Sequence, residues 1–185
     1  HEIRTPLTSL IGFADVLTQE SHGKLNARQM EYSTGIMDSA KGLERVINDI
    51  LDLASIEAGM MSLQLDTVDV HSMLVSVLNL IKESARRKNL EVEFDCPPDI
   101  GWIVADEKRL KQVLFNLLSN AVNFTPPRGT IILASERSGD GDDAAVNFRV
   151  TDTGRGMPKA EQLDIFGAFE RTGGNDQSGA GLGLS

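Results

Sequence analysis

His1-Glu2-Ile3-Arg4-Thr5-Pro6-Leu7 opens the chain, and the pattern it starts runs through Leu17. Apolar side chains fall at Ile3, Leu7, Leu10, Ala14 and Leu17, alternately four and three residues apart. That spacing is the seam of a helix packed against other helices. At about 100° per residue, His1 lies roughly opposite the centre of the seam and is expected to face water. Thr5 falls over the same face, with Glu2 beside the histidine and Arg4 flanking it. Pro6 has no N–H for the carbonyl of Glu2, so a looser or bent helix is expected next to His1. An exposed imidazole with a neighbouring carboxylate suits a nucleophile, because the carboxylate can set the tautomer and take the departing proton. A solvated histidine that merely precedes a helix fits the same residues.

Working outward, Ser21-His22-Gly23 supplies turn chemistry that ends the first helix between Gln19 and Gly23. Asn26 can cap a second helix, and Gln29 completes a variant of the capping box. Apolar positions then recur at Met37, Ala40, Leu43, Ile47, Ile50 and Ala54, and Gly59 closes the helix. Two antiparallel helices with one stripe each cannot bury both stripes as a lone pair, whereas two copies forming a four-helix bundle can. Residues 1–60 therefore read as a dimerising helical hairpin.

After Gly59 the texture changes. Ser62 to Leu65 reads as a short strand and Val70 to Lys88 as a helix with Leu74, Val77, Leu78 and Ile81 on one side. Leu90 to Phe94 and Trp102 to Ala105 read as strands separated by Cys96-Pro97-Pro98. Asp106 caps a longer helix that stops at Thr125-Pro126-Pro127. Ile131 to Ser135 and Ala145 to Thr151 follow as strands, and residues 152–185 are loop-rich, holding eight of the 17 glycines. The pattern predicts an α+β sandwich, with helices laid on one face of a mixed sheet.

Composition bounds the function. The 185 residues are 41% hydrophobic and 24% charged, ordinary for a soluble protein of one large or two small domains. A net charge of −9 argues against general nucleic-acid binding but not against a nucleotide, which needs only a local site. The single Cys96 excludes an internal disulfide and a cysteine metal cluster, and fits a reducing, cytoplasmic compartment. No apolar run approaches the roughly twenty residues of a membrane span, so no membrane contact is expected within this segment. The chain lacks an initiator Met and opens mid-motif, so it is expected to be an excerpt of a longer protein whose upstream segments could anchor it to a membrane.

Three constellations carry chemistry. Asn116, Asn120 and Asn123 are spaced four and three apart on one helix, beside a core face of Leu110, Val113, Leu114, Leu117 and Ala121. Asparagine is a poor mid-helix residue, so three in register suggest a return such as oxygen ligands for magnesium. A solvated polar face explains them as well. In Val146-Asn147-Phe148-Arg149-Val150-Thr151-Asp152, parity points Asp152 to the core side, where a carboxylate needs a donor such as the amino group of a heterocycle. Thr153-Gly154-Arg155-Gly156 then places two glycines where backbone must pass close to a ligand, although an ordinary Asp-Thr-Gly turn has the same residues. Gly179-Ala180-Gly181-Leu182-Gly183-Leu184 could offer bare N–H groups to phosphates, or could be a flexible loop. It follows no strand and ends in no Gly-Lys-Ser/Thr, so neither the dinucleotide fingerprint nor the P-loop fits.

Together these pieces resemble sensor histidine kinases. His1 to Leu7 resembles their H box, Asn116-Leu117-Leu118-Ser119-Asn120-Ala121 the N box, and Asp152-Thr153-Gly154-Arg155-Gly156 the G1 box. Ile165-Phe166-Gly167-Ala168-Phe169-Glu170-Arg171 is similar to the F box and Gly179 to Leu184 to the G2 box. The resemblance implies a dimerisation and phosphotransfer hairpin over 1–60 and a Bergerat-type ATP-binding domain over 61–185 that ends within G2. It implies that His1 accepts the γ-phosphoryl of ATP with Glu2 as base, and that Thr5 resembles the position that helps place water in members that also dephosphorylate their partner. Asn120 would hold Mg²⁺ and Asn116 support the phosphates, Asp152 would read the adenine amino group, and Gly154, Gly156, Gly181 and Gly183 would let the lid backbone reach the nucleotide. Asn123, Phe169, Arg171 and Leu182 complete the implied nucleotide site. The partners implied are a second copy of the chain and a response-regulator receiver domain.

Two departures stand out. Most relatives carry Lys where this chain has Asn123, and the helix before His1 and the elements after G2 are absent from the sequence. Asn123 is the one sequence feature favouring the alternative, a pseudokinase-like dimeric scaffold with weak autokinase activity. A chaperone or topoisomerase-type ATPase would lack the H-box hairpin.

Overall fold

The computed structural model describes residues 3–139, 141 and 144–158. The chain divides into two compact units, His1–Met61 and Ser62–Ser185.

The first unit is an antiparallel hairpin of α1 (Arg4–Thr18) and α2 (Ala27–Glu57). Among the described residues α1 starts at Arg4, which puts Pro6 in its first turn. Backbone N–H groups there have no intrahelical acceptor, so the missing donor of Pro6 interrupts no bond within the described helix. Ser9 Oγ donates to the Thr5 carbonyl at 3.1 Å. The connection is held by Glu20, whose Oε1 accepts from Leu25 N at 3.0 Å. The capping box forms as expected: Asn26 Oδ1 accepts from Gln29 N, and Gln29 Oε1 accepts from Asn26 N, both at 2.9 Å. At the far end Gly59 takes φ +64°, Gly59 N donates to Ile56 O and Met60 N to Ser55 O. These are the two crossed bonds of a Schellman stop, which needs a left-handed residue.

Inside the hairpin, Leu7 and Ala14 of α1 are buried with Ser33 and Ala40 of α2. The seam expected from the sequence splits in two. Ile3, Leu10 and Leu17, a column seven residues apart, stay exposed at 60%, 50% and 46%. On α2 a second heptad column, Ile36, Leu43 and Ile50, is likewise exposed. One hairpin therefore buries one column per helix and leaves the other apolar.

The second unit runs β1 (Asp66–Asp69), α3 (Val70–Arg87), β2 (Glu91–Asp95), β3 (Trp102–Ala105), α4 (Glu107–Phe124), β4 (Thr130–Ser138) and β5 (Ala145–Asp152). β1 pairs antiparallel with β3 in a two-stranded sheet. The second sheet has the order β2-β4-β5 and is mixed, with β2 and β4 parallel and β4 and β5 antiparallel. One core joins Val70, Met73, Leu74, Val77, Ile81 and Ala85 of α3, Leu114, Leu118, Ala121 and Val122 of α4, and Ile131 and Leu133 of β4. Fully burying a leucine such as Leu118 contributes about 1.5–3 kcal/mol before entropy is counted. The mixed helix-and-sheet architecture is the one the sequence predicts.

Three local expectations are corrected. Ser62 to Leu65 is not a strand, and Leu63 and Leu65 are exposed; the strand is Asp66–Asp69, where carboxylates flank the single buried Val68. On α4, Val113 is 55% exposed, and the stripe facing the core runs through Leu114, Leu118, Ala121 and Val122. Parity holds along β5, where Val146, Phe148 and Val150 pack against the core, but Asp152 lies past its edge and is exposed.

Candidate nucleotide site

α4 and the turn after β5 build the site. Asp106 starts the helix, its Oδ1 accepting from Arg109 N at 3.0 Å and its Oδ2 from Gln64 N at 3.0 Å. These backbone bonds, that of Arg109 first, hold its carboxyl below the usual carboxylate range. With the apolar stripe turned inward, helical geometry places Asn116, Asn120 and Asn123 on the opposite side. Asn116 and Asn120 are half-buried and Asn123 is exposed. Among the described residues, none of the three carboxamides has a hydrogen-bond partner.

The far end of α4 is anchored from outside. Lys88, just beyond α3, places Nζ 2.8 Å from the carbonyl of Val122 and 2.6 Å from that of Asn123. A cation there satisfies carbonyls that the helix end leaves open and favours the negative end of its dipole. The chain then turns at Thr125-Pro126-Pro127, and Thr125 is fully buried with its Oγ1 unpaired.

β4 and β5 end beside this turn. Thr153 joins the strand ends: its N–H donates to Thr130 O at 3.1 Å, and its Oγ1 accepts from Thr130 N at 2.9 Å. Asp152 Oδ1 accepts from Gly154 N at 2.8 Å. A Cβ on Gly154 would stand 2.5 Å from that oxygen and 2.9 Å from the carbonyl oxygen of Phe124, so only glycine fits. The Asp152 turn is thus packed directly on the last residue of α4. Phe124 keeps 45% of its surface exposed, and the Arg155 guanidinium carbon lies 5.3 Å from its ring centroid.

Among the described residues, no group of three or more His, Cys, Asp or Glu could hold a metal ion. The donors on offer are carboxamide oxygens, which fit a hard cation that is bound partly through phosphate and water. The unit thus presents a glycine-packed turn next to a carboxylate, an exposed aromatic ring at the end of α4, and an amide face along the same helix.

Residues 1–59 match the His Kinase A (phospho-acceptor) domain, and residues 105–185 match the histidine kinase-, DNA gyrase B- and HSP90-like ATPase family. The chain belongs to the histidine kinase family. Across its whole length it is 41% identical to the circadian input-output histidine kinase CikA of Synechococcus elongatus, of which it covers 25%. The chain thus spans about a quarter of that curated relative. It is similar over its full length to the crystal structure of full-length ShkA in complex with AMPPNP, with a TM-score of 0.73, 36% identity and 37% of that chain covered. Similarity extends over 92% of the chain to histidine kinase ThkA in complex with the response regulator protein TrrA, with a TM-score of 0.61, 26% identity and 48% of that chain covered.

Of the site residues expected from a histidine kinase sequence, Asn116, Asn120 and Asn123 lie on α4, Asp152 ends β5, and Gly154 and Gly156 lie in the turn after it. Gly156 takes φ +66°. Thr5 is exposed on α1. His1, Glu2, Phe169, Arg171, Gly181, Leu182 and Gly183 lie outside the described residues. Three contributors escape a sequence reading of the kinase. Phe124 is hidden as the last apolar residue of a helix, Arg155 as a single charged residue between two glycines, and Lys88 is distant in sequence from the carbonyls it caps.

Proposed function

We propose that this chain is the catalytic core of a dimeric sensor histidine kinase, which phosphorylates itself on His1 with ATP and passes the phosphoryl group to an aspartate of a response regulator. The observation that carries the reading is the pairing of a phospho-acceptor hairpin, residues 1–59, with an ATPase-family unit in which the Asp152 turn packs on Phe124, the last residue of the helix that carries the three asparagines. The boundaries proposed are 1–60 for dimerisation and phosphotransfer and 61–185 for ATP binding.

In the reaction an imidazole nitrogen of His1 attacks the γ-phosphorus, the nitrogen–phosphorus bond forms, the bond to the bridging oxygen breaks, and ADP leaves. Glu2 receives the imidazole proton. Asp152 accepts a hydrogen bond from the adenine amino group, its geometry fixed by the Gly154 N–H. Asn120, supported by Asn116, would hold Mg²⁺, which supplies charge neutralisation at the phosphates. Asn123 would approach the phosphates from the same helix face, and Gly154, Gly156, Gly181 and Gly183, with Leu182, Phe169 and Arg171, would close the site. Catalysis of this kind is mostly positioning and electrostatics.

The exposed columns Ile3-Leu10-Leu17 and Ile36-Leu43-Ile50 support a homodimer, since a second hairpin would bury both. A receiver domain is the natural acceptor of the phosphoryl group, as TrrA accompanies ThkA in the solved complex. No helix among the described residues is long and apolar enough to cross a membrane. Dependence on ATP and a lone, unpaired Cys96 support action in the cytoplasm. CikA and PdhS are named as histidine kinases, and nothing beyond the Asn123 departure favours an inactive scaffold.

Incubation with γ-labelled ATP and Mg²⁺ tests the reading. The label should be lost in acid and kept in alkali, and His1→Gln should bind ATP yet stay unlabelled. Label that survives acid, or that persists in His1→Gln, overturns the assignment.

A further inference from the structure

Phe124 and Arg155 are brought together by the fold, yet the roles assigned to Asn116, Asn120 and Asp152 use neither of them. Phe124 ends α4, and its carbonyl oxygen is the atom that would meet a Cβ at Gly154. The ring therefore belongs to the residue on which the Asp152 turn rests, and Arg155 is the next residue of that turn. The guanidinium carbon lies 5.3 Å from the ring centroid, within cation–π range, while 45% of Phe124 remains open. A cation on one face leaves the other free, and an open aromatic face beside a carboxylate that reads an exocyclic amine suits a flat heterocycle.

We propose that Arg155 is a positioning residue for nucleotide binding that holds the Phe124 ring as one wall of the base pocket. This rests on the reading of Asp152 as the adenine-recognising carboxylate. A phenylalanine at a helix end can swing about its two side-chain torsions, and ordering it during binding reduces affinity. A ring already held against a guanidinium carries that cost in the free protein. Arg155 acts through the ring and need not touch the nucleotide.

Calorimetric titration with adenosine, ADP and ATP provides the test, using the wild-type chain, Arg155→Met, Arg155→Lys, Phe124→Leu and the double variant. Arg155→Met should weaken all three ligands alike, by about two- to fivefold, the range expected for an exposed cation–π contact. Arg155→Lys, which keeps a cation over the ring, should retain most of the affinity. In the Phe124→Leu background, Arg155→Met should change nothing further. A loss that grows from adenosine to ATP and deepens at low salt would mean that Arg155 binds phosphates directly, and the proposal fails. An equal loss with and without the ring also overturns it. Asp152→Asn separates the two levels of inference: if it leaves adenosine binding unchanged, the adenine reading fails and the proposal with it. If Asp152→Asn weakens binding while Arg155→Met does not, the role of Arg155 alone is wrong. Both side chains are exposed, so nucleotide-free melting curves of the variants should overlay wild type. If Arg155→Met melts lower, Arg155→Gln replaces it in the same cycle.

Discussion

The Asp106 carboxylate engages two partners at once, capping α4 through Arg109 N and holding the segment before β1 through Gln64 N. Both bonds favour the charged form and lower its pKa in the folded chain. A carboxylate whose folded pKa is depressed stabilises fully above its unfolded value and loses that contribution as pH falls through the folded one. Asp106→Ala should therefore melt below wild type at pH 7, and the gap should narrow as pH falls through the carboxylate range. A constant gap across that series would show that the charge is not what matters. Asn123 is the other single position of consequence. Exposed on the helix face of Asn116 and Asn120, it offers a neutral dipole where a cation could reach phosphate. A charge-assisted bond is worth about 1.5–3 kcal/mol against roughly 1 for a neutral one, so Asn123→Lys should tighten ATP binding about tenfold. The gain should be larger at low salt, and a titration showing no gain at any ionic strength would remove Asn123 from the phosphate site.

At the scale of elements, the hairpin and α4 each carry two faces with different fates. In α1 and α2 one apolar column closes the hairpin and the other is exposed. Leu43→Glu, in the exposed column, should leave the hairpin folded but break the proposed dimer, because association would bury an unpaired charge. Light scattering reads the result, and an intact dimer would place the interface elsewhere. In α4 the inward stripe is the structural face. Leu118→Ala should cost about 2–5 kcal/mol in chemical denaturation, since Leu118 is fully buried between α3 and the sheet. Gly154→Ala separates site from fold: the added Cβ meets Asp152 Oδ1 and the Phe124 carbonyl, so nucleotide affinity should fall well before stability does. Equal ATP binding by Gly154→Ala would mean that the turn relaxes without cost.

For the whole molecule, two units with separate cores predict two separable transitions. The ATP-binding unit should melt higher as ATP and Mg²⁺ are added, by about 2.7 kcal/mol of stabilisation at one hundred times Kd. The hairpin, as the proposed dimer, should instead melt higher as protein concentration rises. Differential scanning calorimetry resolves both dependences, and a single transition responding to ligand and dilution alike would show the units to be thermodynamically coupled. Much of this architecture was legible in the residues because its signals are local. The Asn26–Gln29 capping box, the Asp106 cap and the Gly59 stop all depend on neighbours a few positions away. Periodicity likewise showed that the helices have apolar stripes. It could not say which heptad column meets the sister helix: the smaller side chains Ala14, Ser33 and Ala40 are the buried ones and the more apolar columns stay exposed, which only packing decides. The same limit applies to Val113, Leu118 and Asp152. Whether a side chain on the right face is buried depends on how far the sheet and α3 extend over it, which no spacing encodes. The Lys88 cap on α4, the Thr125–Gly129 turn against Thr153, and the Arg155 contact with Phe124 join residues far apart in the chain. Residue types and short-range spacing determined the elements and the candidate chemistry; only chain closure over long separations decided which groups meet, because those contacts form once the core has packed.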